Sequence, residues 1–84
     1  MEIDDSIRSV LAEFAKLAVD VSTLSDDDDI FDAGMTSHAS VNVVLALEEA
    51  FDIEFPQRML RRSTFESVSA IGGAVMELVG TPAP

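Results

Sequence analysis

Ser37 is the side chain in this sequence best placed to do chemistry. It lies in the stretch Asp32 to Phe55, DAGMTSHASVNVVLALEEAFDIEF. There Gly34 tolerates any backbone angle and can end a loop, and Thr36 or Ser37 can cap the helix that the following apolar residues demand. A serine so placed stands at an exposed helix N-terminus, where free N–H groups and the positive end of the dipole favour an anion. Direct catalysis fits poorly. Ser37 and His38 are neighbours, and neighbouring helical residues point about 100° apart; no third group orients the histidine, and the Gly-x-Ser-x-Gly elbow is absent. The run Asp26 to Asp29 invites calcium, but counting from Asp26 the sixth residue is Phe31 and the twelfth Ser37, where an EF-hand loop needs glycine and a bidentate glutamate. No catalytic residue and no metal ligand is assigned, and the run reads as a solvated acidic loop. Arg58, Arg61 and Arg62 are three of only five basic residues. Their guanidinium forks suit a partner contact or a phosphate, against the alternative of local pairing with acids.

The elements that must position these groups are helical. Val43, Val44, Leu47 and Phe51 recur at helical spacing and predict an amphipathic helix over 37–51, of roughly four turns. Its outer face takes His38, Val41, Asn42, Leu45 and Glu49, and two aliphatics there, Val41 and Leu45, suggest a partner surface. Ahead of it, Ile7, Val10, Leu11, Phe14 and Leu17 predict a core-packing helix over about 4–17, with Asp4 and Asp5 at its acidic start. Between the two lies a long loop, which Leu24, Ile30 and Phe31 must anchor. After Pro56 a short helix or turn over about 56–61 should turn Met59 and Leu60 inward. Ser63 or Thr64 then caps a last helix over about 65–79, Ser63-x-x-Glu66 matching the capping box. Phe65, Val68, Ile71, Val75, Leu78 and Val79 form its stripe. The Gly72-Gly73 pair implies close approach to another helix. Gly80 ends that helix, leaving a tail over 81–84. The expectation is a single all-α domain over 1–84, a bundle of three longer helices and one short one with a long first loop.

Composition narrows the partners. The chain has 84 residues, near the lower end of what one core holds together without a metal or disulfide, and no cysteine, so any thiol must arrive on a prosthetic group. A net charge of -11 repels nucleic acid and anionic membrane over a Debye length of about 8–10 Å and favours basic enzyme surfaces. The acidic N-terminus is unlike a secretory signal, and no run approaches the ~20 apolar residues of a membrane span. A cytoplasmic location is expected.

The loop ending Asp32-x-Gly34, the serine after two further residues, the helix ending Ala46-Leu47-Glu48-Glu49-x-Phe51-Asp52 and the Ile53-x-Phe55-Pro56 run resemble the acyl carrier proteins, with similarity from about Ile7 to Leu78. Family members carry 4'-phosphopantetheine on that serine, so the resemblance assigns the group, taken from coenzyme A by a phosphopantetheinyl transferase, to Ser37. The usual Asp-Ser-Leu reads Thr36-Ser37-His38 here, which points away from an ordinary fatty-acid carrier. Met35-Thr36-Ser37 with Ala39-Ser40-Val41 and EEAFDIEFP is similar to the small aminoacyl carrier proteins of bacteria. Those are loaded with small amino acids such as glycine or alanine by stand-alone ligases resembling seryl-tRNA synthetases. What this implies is a non-catalytic carrier of an aminoacyl thioester, with a downstream acceptor enzyme unnamed. Thr36, His38, Val41, Asn42, Leu45, Glu49, Arg58, Arg61 and Arg62 are its expected partner-binding residues. The alternatives are an acyl or polyketide-type carrier and, in another class, an unmodified acidic helical interaction module in which Ser37 is only a cap.

Overall fold

In the computed structural model, which describes residues 2–80, the first helix α1 runs Glu2–Val10 and continues into a wide π-helical turn, Leu11–Ala15. Lys16 stops it in the left-handed region at φ 54°. The helix is thus shifted two residues upstream of the expected 4–17, and Leu17, half-buried, lies beyond its end. The wide turn buries both Leu11 and Ala15.

The loop from Lys16 to Thr36 is built by its own acids. Asp20 accepts the Ser22 N–H at 2.9 Å and caps a 3-10 turn over Val21–Thr23. Asp28 accepts the Ser25 N–H at 2.9 Å, and Asp29 accepts from Phe31 and Asp32 at 2.8 and 3.2 Å. Backbone hydrogen bonds, led by those from Ser22 and Ser25, hold the Asp20 and Asp28 carboxyls below the usual aspartate range. Asp26 pairs with Arg8 at 2.8 Å. The run expected to be merely solvated therefore folds the loop. Leu24 and Ile30 are buried beneath it and Phe31 is half-buried, so the anchors hold as expected. Two backbone bonds stitch the loop to the C-terminal half: Ile30 N–H to Glu66 O at 2.7 Å, and Ser69 N–H to Asp26 O at 2.9 Å.

The second helix α2, Ser37–Phe51, has the expected bounds. Asp52, left-handed at φ 53°, ends it, while the Glu48 carboxylate reaches past to accept the Phe55 N–H at 2.9 Å. Where a short helix or turn is expected over 56–61, a 3-10 turn forms over Gln57–Met59, followed by a separate single turn α3, Arg62–Phe65. Met59 is buried but Leu60 is half-exposed, against expectation.

The last helix α4 spans Val68–Gly80. Its cap is Ser67, whose hydroxyl accepts the Ala70 N–H at 3.0 Å; Ser63 lies inside α3, so the capping box is not formed. Gly72 faces α1, its Cβ position 3.6 Å from Asp4 Oδ1 and 3.9 Å from Ile7 Cδ1, whereas Gly73 faces open space. A methyl would fit at either, so close approach does not require the pair. Val79, placed in the inward stripe by its spacing, is exposed. The tail over 81–84 lies outside the described residues.

The helices meet over a core led by Ile7, Leu11, Ile30, Val43, Leu47, Val68, Ile71 and Val75, all fully buried. Phe55 and Phe65 pack edge to face at 5.2 Å, an aromatic geometry favoured by the ring quadrupole. That contact seats α3 against the turn after α2. Among the described residues there is no strand, and no helix is long and apolar enough to cross a membrane.

Candidate functional site: the start of α2

The chain enters α2 through a turn that only glycine adopts readily. Gly34 has φ +123°, and a Cβ there would stand 2.8 Å from the Ala18 backbone nitrogen. Met35, 3% exposed, plugs the core, and the cap follows at once. Thr36 is extended, and its hydroxyl accepts the Ala39 N–H at 3.0 Å. Of the two capping residues the sequence left open, it is therefore Thr36 that caps. Ser37 is the first helical residue, its side chain exposed between buried Met35 and buried Ala39. Its hydroxyl is not needed to end the helix. The Ala39 N–H is taken by the cap, which leaves the Ser37 and His38 N–H groups of the first turn facing outward for an anion.

Beside the serine lies an open, mostly apolar groove of about 360 Å³ between α2 and α3. Ser37, Ser40, Val41, Val44 and Leu45 form one wall; Leu60, Arg61, Arg62 and Phe65 form the other, with Phe31 between. Val41 and Leu45 are 57% and 58% exposed. Arg62 lies 4.3 Å above the Phe31 ring and 3.8 Å from Asp29 Oδ2. Both contacts are open to solvent and worth at most about 1 kcal/mol each. Arg61 spends its Nε–H on the Arg58 carbonyl at 2.8 Å, and Arg58 pairs with Glu77 at 3.2 Å on the far side of α3. The three arginines thus divide: Arg61 and Arg62 border the serine's groove and Arg58 turns towards α4. Local pairing accounts for Arg58 and Arg62 but not for Arg61.

The remaining expected contact residues fall on two surfaces. His38 is exposed next to Ser37. Asn42 and Glu49, with Leu45 as the shared ridge, line a second groove of about 660 Å³ against Val10, Glu13, Phe14, Ala46 and Ala50. Sequence reasoning missed Phe31, Leu60 and Phe65 as walls of the first groove and the whole α1 side of the second. The signal for Leu60 was available: after the buried Met59, a side chain one residue on in a tight turn points away. Among the described residues no cluster of His, Asp or Glu could hold a metal.

The donor set fits a phosphopantetheine group. An exposed hydroxyl freed from capping stands at a helix start, two arginines border the adjoining groove, and apolar walls offer contact for an uncharged arm.

Comparison with known proteins agrees. Residues 5–75 match the family model described as the phosphopantetheine attachment site. An aminoacyl carrier protein of Agrobacterium fabrum is 47% identical over 70 residues, covering 83% of this chain and 84% of that protein. The carrier protein from Agrobacterium tumefaciens, in its crystal complex with an engineered Bradyrhizobium japonicum glycine:[carrier protein] ligase and ATP, superposes with a TM-score of 0.88 at 43% identity, over 90% of this chain and 99% of that one. The cognate carrier protein of the Bradyrhizobium japonicum ligase, bound with an analogue of glycyl adenylate, superposes at 0.79 with 26% identity, over 92% and 99%. With a freed serine at the start of α2 and a family match over most of its length, this chain belongs to the carrier proteins that bear phosphopantetheine, and it is most like their aminoacyl members.

Proposed function

We propose that Ser37 carries 4'-phosphopantetheine and that the protein holds an activated small amino acid, glycine or alanine, for transfer between enzymes in the cytoplasm. The observation that supports Ser37 is the division of labour at the start of α2: Thr36 holds the helix, and the neighbouring hydroxyl is left exposed. When bound, the group supplies a thiol on a flexible arm, on which an aminoacyl unit rides as a thioester. The chain's own residues do the rest. The first-turn N–H groups of α2 offset part of the surrounding negative potential at the attachment point. The acidic body steers basic enzyme faces into brief encounter, raising the on-rate without tight binding. Val41 and Leu45 give those enzymes apolar contact next to the serine.

A synthetase-like ligase as loading enzyme is supported by the relatives: the two similar carrier proteins above were crystallised with a glycine:[carrier protein] ligase. The test is intact mass after incubation with coenzyme A, magnesium and a broad-specificity phosphopantetheinyl transferase. One phosphopantetheine is expected on the wild type and none on Ser37→Ala. A gain on the variant, or none on the wild type with two transferases, overturns the assignment. Subsequent addition of the ligase, ATP and glycine or alanine should add one aminoacyl mass; loading only by an acyl-activating enzyme would replace the cargo reading.

A further inference from the structure

The second groove has a built-in charge pattern that no described residue of the chain satisfies. It lies where the wide turn of α1 passes α2, and its floor is Phe14 and the small Ala46. Leu45 stands over it, 58% exposed. Glu13 reaches it from α1 and Glu49 from α2, both exposed. Neither has an ion pair among the described residues. Arg8 is committed to Asp26 and to the Val21 carbonyl, and Arg58 and Arg62 to Glu77 and Asp29. Among the described residues no basic side chain lines the groove.

We infer that the α1–α2 groove docks a basic amphipathic helix of a partner protein. Two carboxylates beside an apolar floor match a lysine or arginine, whose methylene stem covers apolar surface while its head meets the acids. Nucleic acid, anionic lipid and a second copy of this chain, at net charge -11, are all repelled. The α2 wall runs from Asn42 to Ala50, about 12 Å of helix. A partner helix of two to three turns spans that wall with anchors spaced three and four residues apart. Because Leu45 is the ridge between the two grooves, a partner seated here touches the face that bears Ser37 without covering the serine. Docking and delivery then use different sides of α2. This inference adds α1 to the interface and does not depend on modification of Ser37.

The probe is a synthetic helical peptide with leucines on one face and arginines on the other, titrated into the ¹⁵N-labelled full chain, with a glutamate-for-arginine version as control. Amide shifts are expected to concentrate over 10–15 and 42–50 with the arginine peptide only. Glu13→Arg with Glu49→Arg should weaken binding about tenfold or more, as two attractions become repulsions. The charge-matched pair Asp5→Arg with Asp27→Arg, neither of which lines the groove, should change it less than about threefold. Ala46→Phe, which fills the floor, should also abolish the response while leaving the dispersed spectrum of a folded chain. No binding, shifts centred on the Ser37 groove, equal loss in both charge-matched pairs, or unchanged binding to Ala46→Phe would each overturn the proposal.

Discussion

Replacing Thr36 and Ser37 one at a time by alanine separates the scaffold from the chemistry at adjacent positions. The Thr36 hydroxyl accepts the Ala39 N–H at 3.0 Å from an extended backbone, so Thr36→Ala leaves one first-turn donor without its cap and should cost about 1 kcal/mol, within a range of roughly 0.5–2. Ser37 is already helical and its hydroxyl does not cap. Alanine is the better helix former there, so Ser37→Ala should change stability by less than about 0.5 kcal/mol in either direction. In a domain of this size the threonine variant should melt about 4–8 °C lower. Its urea midpoint should fall by roughly 0.5–1 M at an m-value near the low end for small proteins. Circular dichroism in urea reads the stability, and intact mass after transferase treatment reads the modification. The expected pattern is crossed: Thr36→Ala is less stable and still modified, Ser37→Ala is as stable as wild type and never modified. If Ser37→Ala loses as much stability as Thr36→Ala, the hydroxyl is structural and the assignment of the cap is wrong.

Three further outcomes follow from the fold. Gly34→Ala forces an L side chain to φ +123° against the Ala18 nitrogen and disturbs the Ala18 N–H to Ala33 O bond. Strain of about 1–3 kcal/mol and a hydrogen bond worth about 1 predict a loss of roughly 2–4 kcal/mol in urea unfolding, and a loss under about 1 would contradict the geometry. Ser67→Ala should destabilise by about 1 kcal/mol and Ser63→Ala by under about 0.5, the reverse of what a capping box at Ser63 requires. The depressed Asp20 and Asp28 carboxyls stabilise the folded chain above the ordinary aspartate range, and that contribution fades as pH falls below about 4 and through their folded values. In acid titrations at fixed urea, Asp20→Ala with Asp28→Ala should therefore lose less stability than wild type across that window; parallel curves would refute the role given to these acids.

The parts legible in the sequence were those with enough residues to show a period or a motif. Four turns of α2 carry Val43, Leu47 and Phe51 at regular spacing, and the helix emerges with the expected bounds. Thr36 and Ser37 could not be ranked as caps, because both are good capping types and only the backbone decides which is extended. The end of α1 was misplaced because a π turn adds a residue to one turn and breaks the period that places Leu17 inward. After Pro56, elements of three and four residues are too short for periodicity to register. There, Ser63-x-x-Glu66 imitated a start signal while the working cap at Ser67 has no acid three residues on. The grooves were invisible for a different reason. They depend on which half-buried side chains from separate elements meet, as Phe31 meets Arg62, and spacing along one element does not encode that.

The two backbone bonds that tie the long loop to the C-terminal half also set an order of events in time. A growing chain emerges N-terminus first, at about 5–20 residues per second. Until Glu66 and Ser69 have been added, Ile30 and Asp26 lack these two partners, and the turn that presents Ser37 has only local backbone bonds such as Ala18 N–H to Ala33 O and Met35 N–H to Ile30 O to hold it. Unfinished chains are then expected to be poor substrates for modification, testable with ribosome-stalled chains ending before Glu66, and their efficient modification would contradict this. Under the function proposed above, the transferase would in effect be sampling whether synthesis is complete, so that the prosthetic group goes only to molecules able to deliver what it carries.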